Sequence, residues 1–139
     1  GVEPLSPTFD ADYLHACCGK STRPIKNLIM DGNLVVGMGN IYASEALFKA
    51  GIRPTAAAGK ISKPRLARLV DAIKQILRAA IRQGGTTISD YRGSGSGGLF
   101  QQRLAVYGRT GAPCQVCQKP VQSLTLAGRN TFFCTSCQK

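Results

Sequence analysis

Four cysteines near the end of the chain have the spacing of a metal site. Cys114 and Cys117 form one pair and Cys134 and Cys137 another, with two residues inside each pair and sixteen between them. Two tight turns of this kind present four thiolates to one tetrahedral ion at about 2.3 Å, the geometry of structural Zn²⁺. With four protein ligands no position stays open for water, so the ion would hold the fold together rather than catalyse. The expected cofactor is therefore one structural zinc per chain. Two disulfides, or four independent buried thiols, are the alternatives. The run from Gln118 to Phe133 is long enough for one β-hairpin, with turn chemistry at Ala127-Gly128-Arg129-Asn130 and apolar residues on either side.

A second constellation is the glycine-flanked turn Gly37-Met38-Gly39-Asn40, which opens a helix. Glycines let backbone approach a ligand closely. The first amides of a helix are unpaired donors, and its dipole favours an anion there. The Asn40 side chain stands where it either caps that helix or donates to a phosphate oxygen. Another helix ends upstream near Met30. A helix, two turns and a helix can grip a nucleic-acid backbone without reading its sequence.

Charge points to the same class of partner. Eighteen lysines and arginines face seven acids, for a formal net charge of +11. Four zinc-bound thiolates and their ion would lower that only slightly. No acid follows Asp90, while Arg92, Arg103, Arg109, Lys119, Arg129 and Lys139 all do. A one-signed field of this kind favours a polyanion. The sequence shows no apolar run near the length of a membrane span and no charged-then-apolar leader, so a cytosolic protein is expected. Cys17 and Cys18 are adjacent, a poor geometry for a disulfide, and read as reduced thiols.

The elements that must position these groups are mostly helical. Asp10 to Cys18 can form a short helix. Ser21 is a plausible cap for a helix running through Met30, broken by Asp31-Gly32-Asn33. A helix follows from Ile41 to Ala50, with Gly51 as its stop. The clearest helix is capped by Ser62 and carries Leu66, Leu69, Val70, Ile73, Ile76, Leu77, Ala80 and Ile81 on one stripe. Leu104, Val106 and Tyr107 read as a short strand leading into the cysteine hairpin. The expected architecture is mainly α with a small β zinc finger. Residues 1–91 form a helical domain, 92–98 a flexible glycine- and serine-rich joint, and 99–139 a zinc-bound hairpin.

Several motifs together resemble one family. They are Val36-Gly-Met-Gly-Asn-Ile-Tyr-Ala-Ser-Glu-Ala-Leu-Phe48, Gln83-Gly-Gly-Thr-Thr87, Val106-Tyr-Gly-Arg109, Gly111-x-Pro-Cys114 and the terminal Cys-x-x-Cys-Gln-Lys139. In this order they are similar to the C-terminal half of formamidopyrimidine-DNA glycosylase, its helix-two-turn-helix domain and zinc finger. The resemblance implies a bacterial, cytoplasmic base-excision repair enzyme. It would flip a damaged purine such as 8-oxoguanine from the duplex, cleave the glycosidic bond and nick the strand by β,δ-elimination. It implies double-stranded DNA containing oxidised purines or abasic sites as partner, and a monomer.

The same resemblance assigns positions. Asn40, beside Gly39, matches a phosphate-binding asparagine, and Lys26 a basic residue near the lesion-side backbone. Arg129 matches an arginine that contacts phosphates flanking the flipped nucleotide. Thr86, Thr87, Ile88, Ser89, Asp90 and Tyr91 fall in a loop that closes over the lesion, with serine at position 89 where some members have lysine. The family's nucleophile is an N-terminal proline followed by a catalytic glutamate. Here Pro4 is internal and Glu3 precedes it, so neither inherits that role. No catalytic residue is expected in this chain. It reads as a half that binds DNA and depends on an N-terminal catalytic domain for cutting. A ribosomal-type RNA-binding zinc ribbon and a protein-binding zinc ribbon are the rival readings.

Overall fold

A computed structural model of the chain describes residues 1–83 and 104–139. The expected lesion loop at 86–91 and joint at 92–98 lie outside the described residues. In chain order the described elements are α1 (Ala11–Cys18), α2 (Ile25–Ile29), α3 (Asn40–Ala50), a 3-10 turn (Ala58–Lys60), α4 (Lys63–Arg82), β1 (Gln122–Leu126) and β2 (Arg129–Phe133). Among the described residues, no helix is long and apolar enough to cross a membrane.

The helical core follows from the apolar stripe of α4. Leu66, Leu69, Val70 and Ile73 are buried against α1 and α3, together with Phe9, Leu14, Leu28, Ile29 and Leu47. Burying each large aliphatic side chain is worth about 1.5–3 kcal/mol, so this cluster dominates the stability of the helical part. Asp10 caps α1 by accepting the Tyr13 N–H at 2.8 Å. Ile81, expected on the stripe, is instead 59% exposed; Ala80 beside it is buried with Ile41 and Leu104.

Three boundaries differ from expectation. Ser21 does not cap α2, because its hydroxyl accepts the Arg23 N–H in a tight turn and the helix begins after Pro24. α2 then stops at Ile29, because the Asp31 carbonyl takes the N–H groups of Leu34 and Val35 and turns the chain. α3 starts one residue early, at Asn40, with Gly39 extended before it and no side-chain cap. Gly51 ends α3 in the left-handed conformation (φ 73°).

β1 and β2 pair antiparallel with Leu126 opposite Arg129, so Ala127 and Gly128 form a two-residue turn. Both have positive φ (49° and 77°), the pattern of a primed hairpin turn. The strand expected at Leu104, Val106 and Tyr107 does not form. The amides of Ala105, Val106 and Tyr107 all donate to the Glu45 carboxylate, at 2.6, 2.9 and 2.9 Å, and so have no strand partner.

That carboxylate is one of several ties between finger and helices. The buried Gln138 side chain accepts from Cys134 N–H at 2.8 Å and donates to the Ile52 carbonyl at 2.9 Å. Arg53 donates to the carbonyls of Thr135 and Gln138 and lies over the Phe133 ring. Lys139 N–H closes onto the Gly51 carbonyl at 3.0 Å. The turn after α3 is thus the seat of the metal finger.

Candidate nucleic-acid interface and metal centre

The four cysteine sulfurs lie within 4.8 Å of one another. Cys114 and Cys137 are 3.8 Å apart and Cys117 and Cys134 are 3.4 Å apart. A tetrahedron with zinc–sulfur arms of about 2.3 Å has edges of about 3.8 Å, so the donor set fits such an ion. Val116 N–H donates to Cys114 Sγ and Cys137 N–H to Cys134 Sγ, each at 3.4 Å. Amides aimed at sulfur suit thiolates, which metal binding requires. Cys17 and Cys18 stand apart. Burial, with Cys17 beside it, pushes the Cys18 thiol up to about 11, which leaves it inert at neutral pH.

The second centre joins the helical turn to the hairpin. Lys26, on α2, is 1% exposed. Its ammonium donates to Asn40 Oδ1 on α3 and to Thr131 Oγ1 on β2, the latter at 2.7 Å. Asn40 Nδ2 in turn donates to the Asn130 carbonyl at 2.9 Å. Both acceptors of this buried cation are neutral. Burial, and then the nearby Arg129, lower the Lys26 pKa to about 8. A buried charge without an opposite charge is costly, and an anion brought alongside would relieve it.

There is room for one. A cavity of about 290 Å³ is lined by Arg23, Lys26, Asn27, Met30, Asp31, Leu126, Ala127 and Arg129. Three cations and one carboxylate face it, and that carboxylate is already paired with Arg23. The two roles open to Asn40 in the sequence are resolved in part: it does not cap α3, and its side chain spans Lys26 and the hairpin. Lys26, Asn40 and Arg129 therefore come together, from positions far apart in sequence. Gly39 adjoins them as the cap of α3. Thr131 and Glu45 were not singled out by the sequence. Thr131 carried no signal; Glu45 lay inside the glycine-turn motif, but its partners are some sixty residues away.

The first 92 residues match the model of the formamidopyrimidine-DNA glycosylase H2TH domain. Residues 111–139 match the zinc finger found in FPG and IleRS. The chain belongs to the formamidopyrimidine-DNA glycosylase family. Over 99% of its length it is 56% identical to the formamidopyrimidine-DNA glycosylase of Marinomonas sp. (strain MWYL1) and covers 51% of that protein. It is 53% identical to that of Thioalkalivibrio sulfidiphilus, covering 52%. The chain thus spans about half the length of the curated relatives it matches. The crystal structure of MutM (Fpg) from Thermus thermophilus superposes with a TM-score of 0.88 at 42% identity, over 99% of this chain and 53% of that one. Lactococcus lactis Fpg in complex with FAPY-dG-containing DNA gives 0.87 at 37% identity, over 100% of this chain and 51% of that one. The helical architecture with a small two-stranded sheet and a four-cysteine cluster is that of the family.

Proposed function

We propose that these 139 residues are the DNA-binding half of a base-excision repair glycosylase and abasic-site lyase acting on duplexes with oxidised purines such as 8-oxoguanine. The observation that carries this reading is the buried Lys26, bonded only to neutral Asn40 and Thr131, beside a cavity that Arg129 also lines. A phosphodiester in that cavity supplies the missing anion. Its oxygens would take charge-assisted hydrogen bonds from Lys26 and Arg129 and a further one from Asn40 Nδ2. Such contacts position a duplex and carry no sequence information. The structures of Lactococcus lactis Fpg with FAPY-dG and with abasic-site DNA support a duplex as partner for this chain too.

One zinc in the four-cysteine site holds β1 and β2 in place, and with them Thr131 and Arg129. Its contribution is folding free energy, on the order of 10 kcal/mol in small fingers. No glycosylase step is assigned to this half. Pro4 is internal and buried, so its nitrogen is an amide and not a nucleophile. The nucleophile and its acid are proposed to come from an N-terminal domain. In a bacterial cell the protein would work in the cytoplasm, on the chromosome, as a monomer.

Fluorescence anisotropy with a short abasic-site duplex and an RNA hairpin of equal charge tests the proposal. Tighter binding to the duplex, with affinity that falls steeply as salt rises, is expected. Preference for the RNA hairpin would overturn it.

A further inference from the structure

We propose that Arg23 is a further phosphate ligand of the same cavity, taking the phosphate next along the strand from the one at Lys26, Asn40 and Arg129. The assignment rests on the DNA reading above. Neither the motifs of the sequence nor the positions matched by resemblance include this residue.

The backbone at Arg23 is held on both sides. Its N–H donates to Ser21 Oγ at 3.1 Å and its carbonyl accepts the Ala58 N–H at 2.9 Å. Pro24 follows and fixes the next backbone angle. The side chain is held as well. Nη1 pairs with Asp31 Oδ2 at 3.1 Å, and Nη2 approaches the Asn27 carbonyl at 3.5 Å. Asp31 is itself anchored, because its other oxygen accepts the Asn33 N–H at 2.9 Å.

A guanidinium carries five N–H donors in a rigid fork, of which these bonds use two. The rest stay free on a side chain that is 47% exposed and lines the cavity. An exposed pair such as Arg23–Asp31 adds little stability by itself. Its consequence is a guanidinium with little rotamer freedom left to lose when a phosphate arrives. Asp31 cancels one of the three positive charges at the cavity, so the site still carries excess positive charge when Lys26 is protonated. One phosphodiester leaves part of that excess unmatched, and a second, adjacent phosphate matches it.

Duplex binding measured across salt concentrations separates the possibilities. Each phosphate contact contributes about −0.9 to the slope of log affinity against log salt. Arg23→Gln keeps a hydrogen-bond donor for Asp31 but not the charge, and is expected to make the slope shallower by about 0.9 and lower affinity roughly tenfold at low salt. Arg23→Lys keeps the charge and is expected to restore the slope while recovering only part of the affinity. Melting temperature monitors folding in each variant. If Arg129→Ala flattens the slope while Arg23→Gln leaves it unchanged, the Arg23 assignment is wrong and the DNA reading stands. If neither variant changes the slope, both are wrong.

Discussion

Lys26 should make both folding and DNA binding depend on pH, in opposite directions. Its pKa falls from the ordinary 10.5 to about 8 in the folded chain, chiefly through burial and then through Arg129. Below pH 8 the lysine is charged whether the chain is folded or not, and the cost of burying it is constant. Between about pH 8 and 10.5 the unfolded chain holds this proton and the folded chain has lost it. Unfolding therefore takes up a proton in this window, and stability rises with pH through it. At about 1.4 kcal/mol per pH unit, the gap amounts to roughly 3 kcal/mol. Binding runs the other way. A phosphate beside Lys26 favours the charged form, so above pH 8 the complex must recover the lost proton. Affinity then falls with pH, by at most about tenfold per unit. Urea denaturation and duplex titration at several pH values, each set against Lys26→Met, isolate this one group from other titrating side chains. A wild-type stability that stays flat or falls relative to Lys26→Met from about pH 8 to 10 would refute the reasoning, as would an affinity loss equal in both proteins.

Four further outcomes follow from the geometry. Elemental analysis of reduced protein should find one zinc per chain. Chelation should abolish duplex binding while far-UV circular dichroism keeps most of its helical signal, since the core around Leu66, Leu69 and Ile73 lies wholly within the helical part. Asn40→Ala and Arg129→Ala should each weaken duplex binding, the arginine change by more, about 1.5–3 kcal/mol for a lost charged hydrogen bond. Because Asn40 accepts from the buried Lys26 and donates to the Asn130 carbonyl, Asn40→Ala should also lower the melting temperature, so affinity is compared where the variant is fully folded; a lower melting temperature with intact affinity would count against a ligand role. Glu45→Gln should cost about 2–3 kcal/mol of stability by weakening a charged acceptor for three amides, read as a lower denaturation midpoint.

The parts of this fold that were legible in the sequence are those governed by local rules. The stripe of α4, the Gly51 stop and the cysteine spacing each depend on residues a few positions apart. The hairpin was legible for the same reason, since Ala127-Gly128 sits between two short apolar runs. What could not be read is the contact between modules. Lys26 meets Thr131 across 105 residues and Asn40 meets Asn130 across 90. The resemblance placed Lys26 near the DNA backbone, but its burial was not legible, because lysine is rarely buried and part of its cover comes from the docked hairpin. The misread strand at Leu104 to Tyr107 has the same origin. Its alternating apolar residues suit a strand, but a buried carboxylate from α3 takes the amides a strand would need. Asn40 was legible as a residue with two possible roles, and the absence of a side-chain cap on α3 removes one of them.

The central claim is that Lys26, Asn40 and Arg129 together hold a phosphate of duplex DNA. A crystal structure of this chain bound to a short abasic-site duplex tests it most directly. A phosphate is expected in the cavity between α2 and the hairpin tip, with its oxygens within hydrogen-bond distance, about 2.7–3.2 Å, of Lys26 Nζ, Asn40 Nδ2 and the Arg129 guanidinium. A duplex seated elsewhere on the chain, with this cavity holding only solvent, would contradict it.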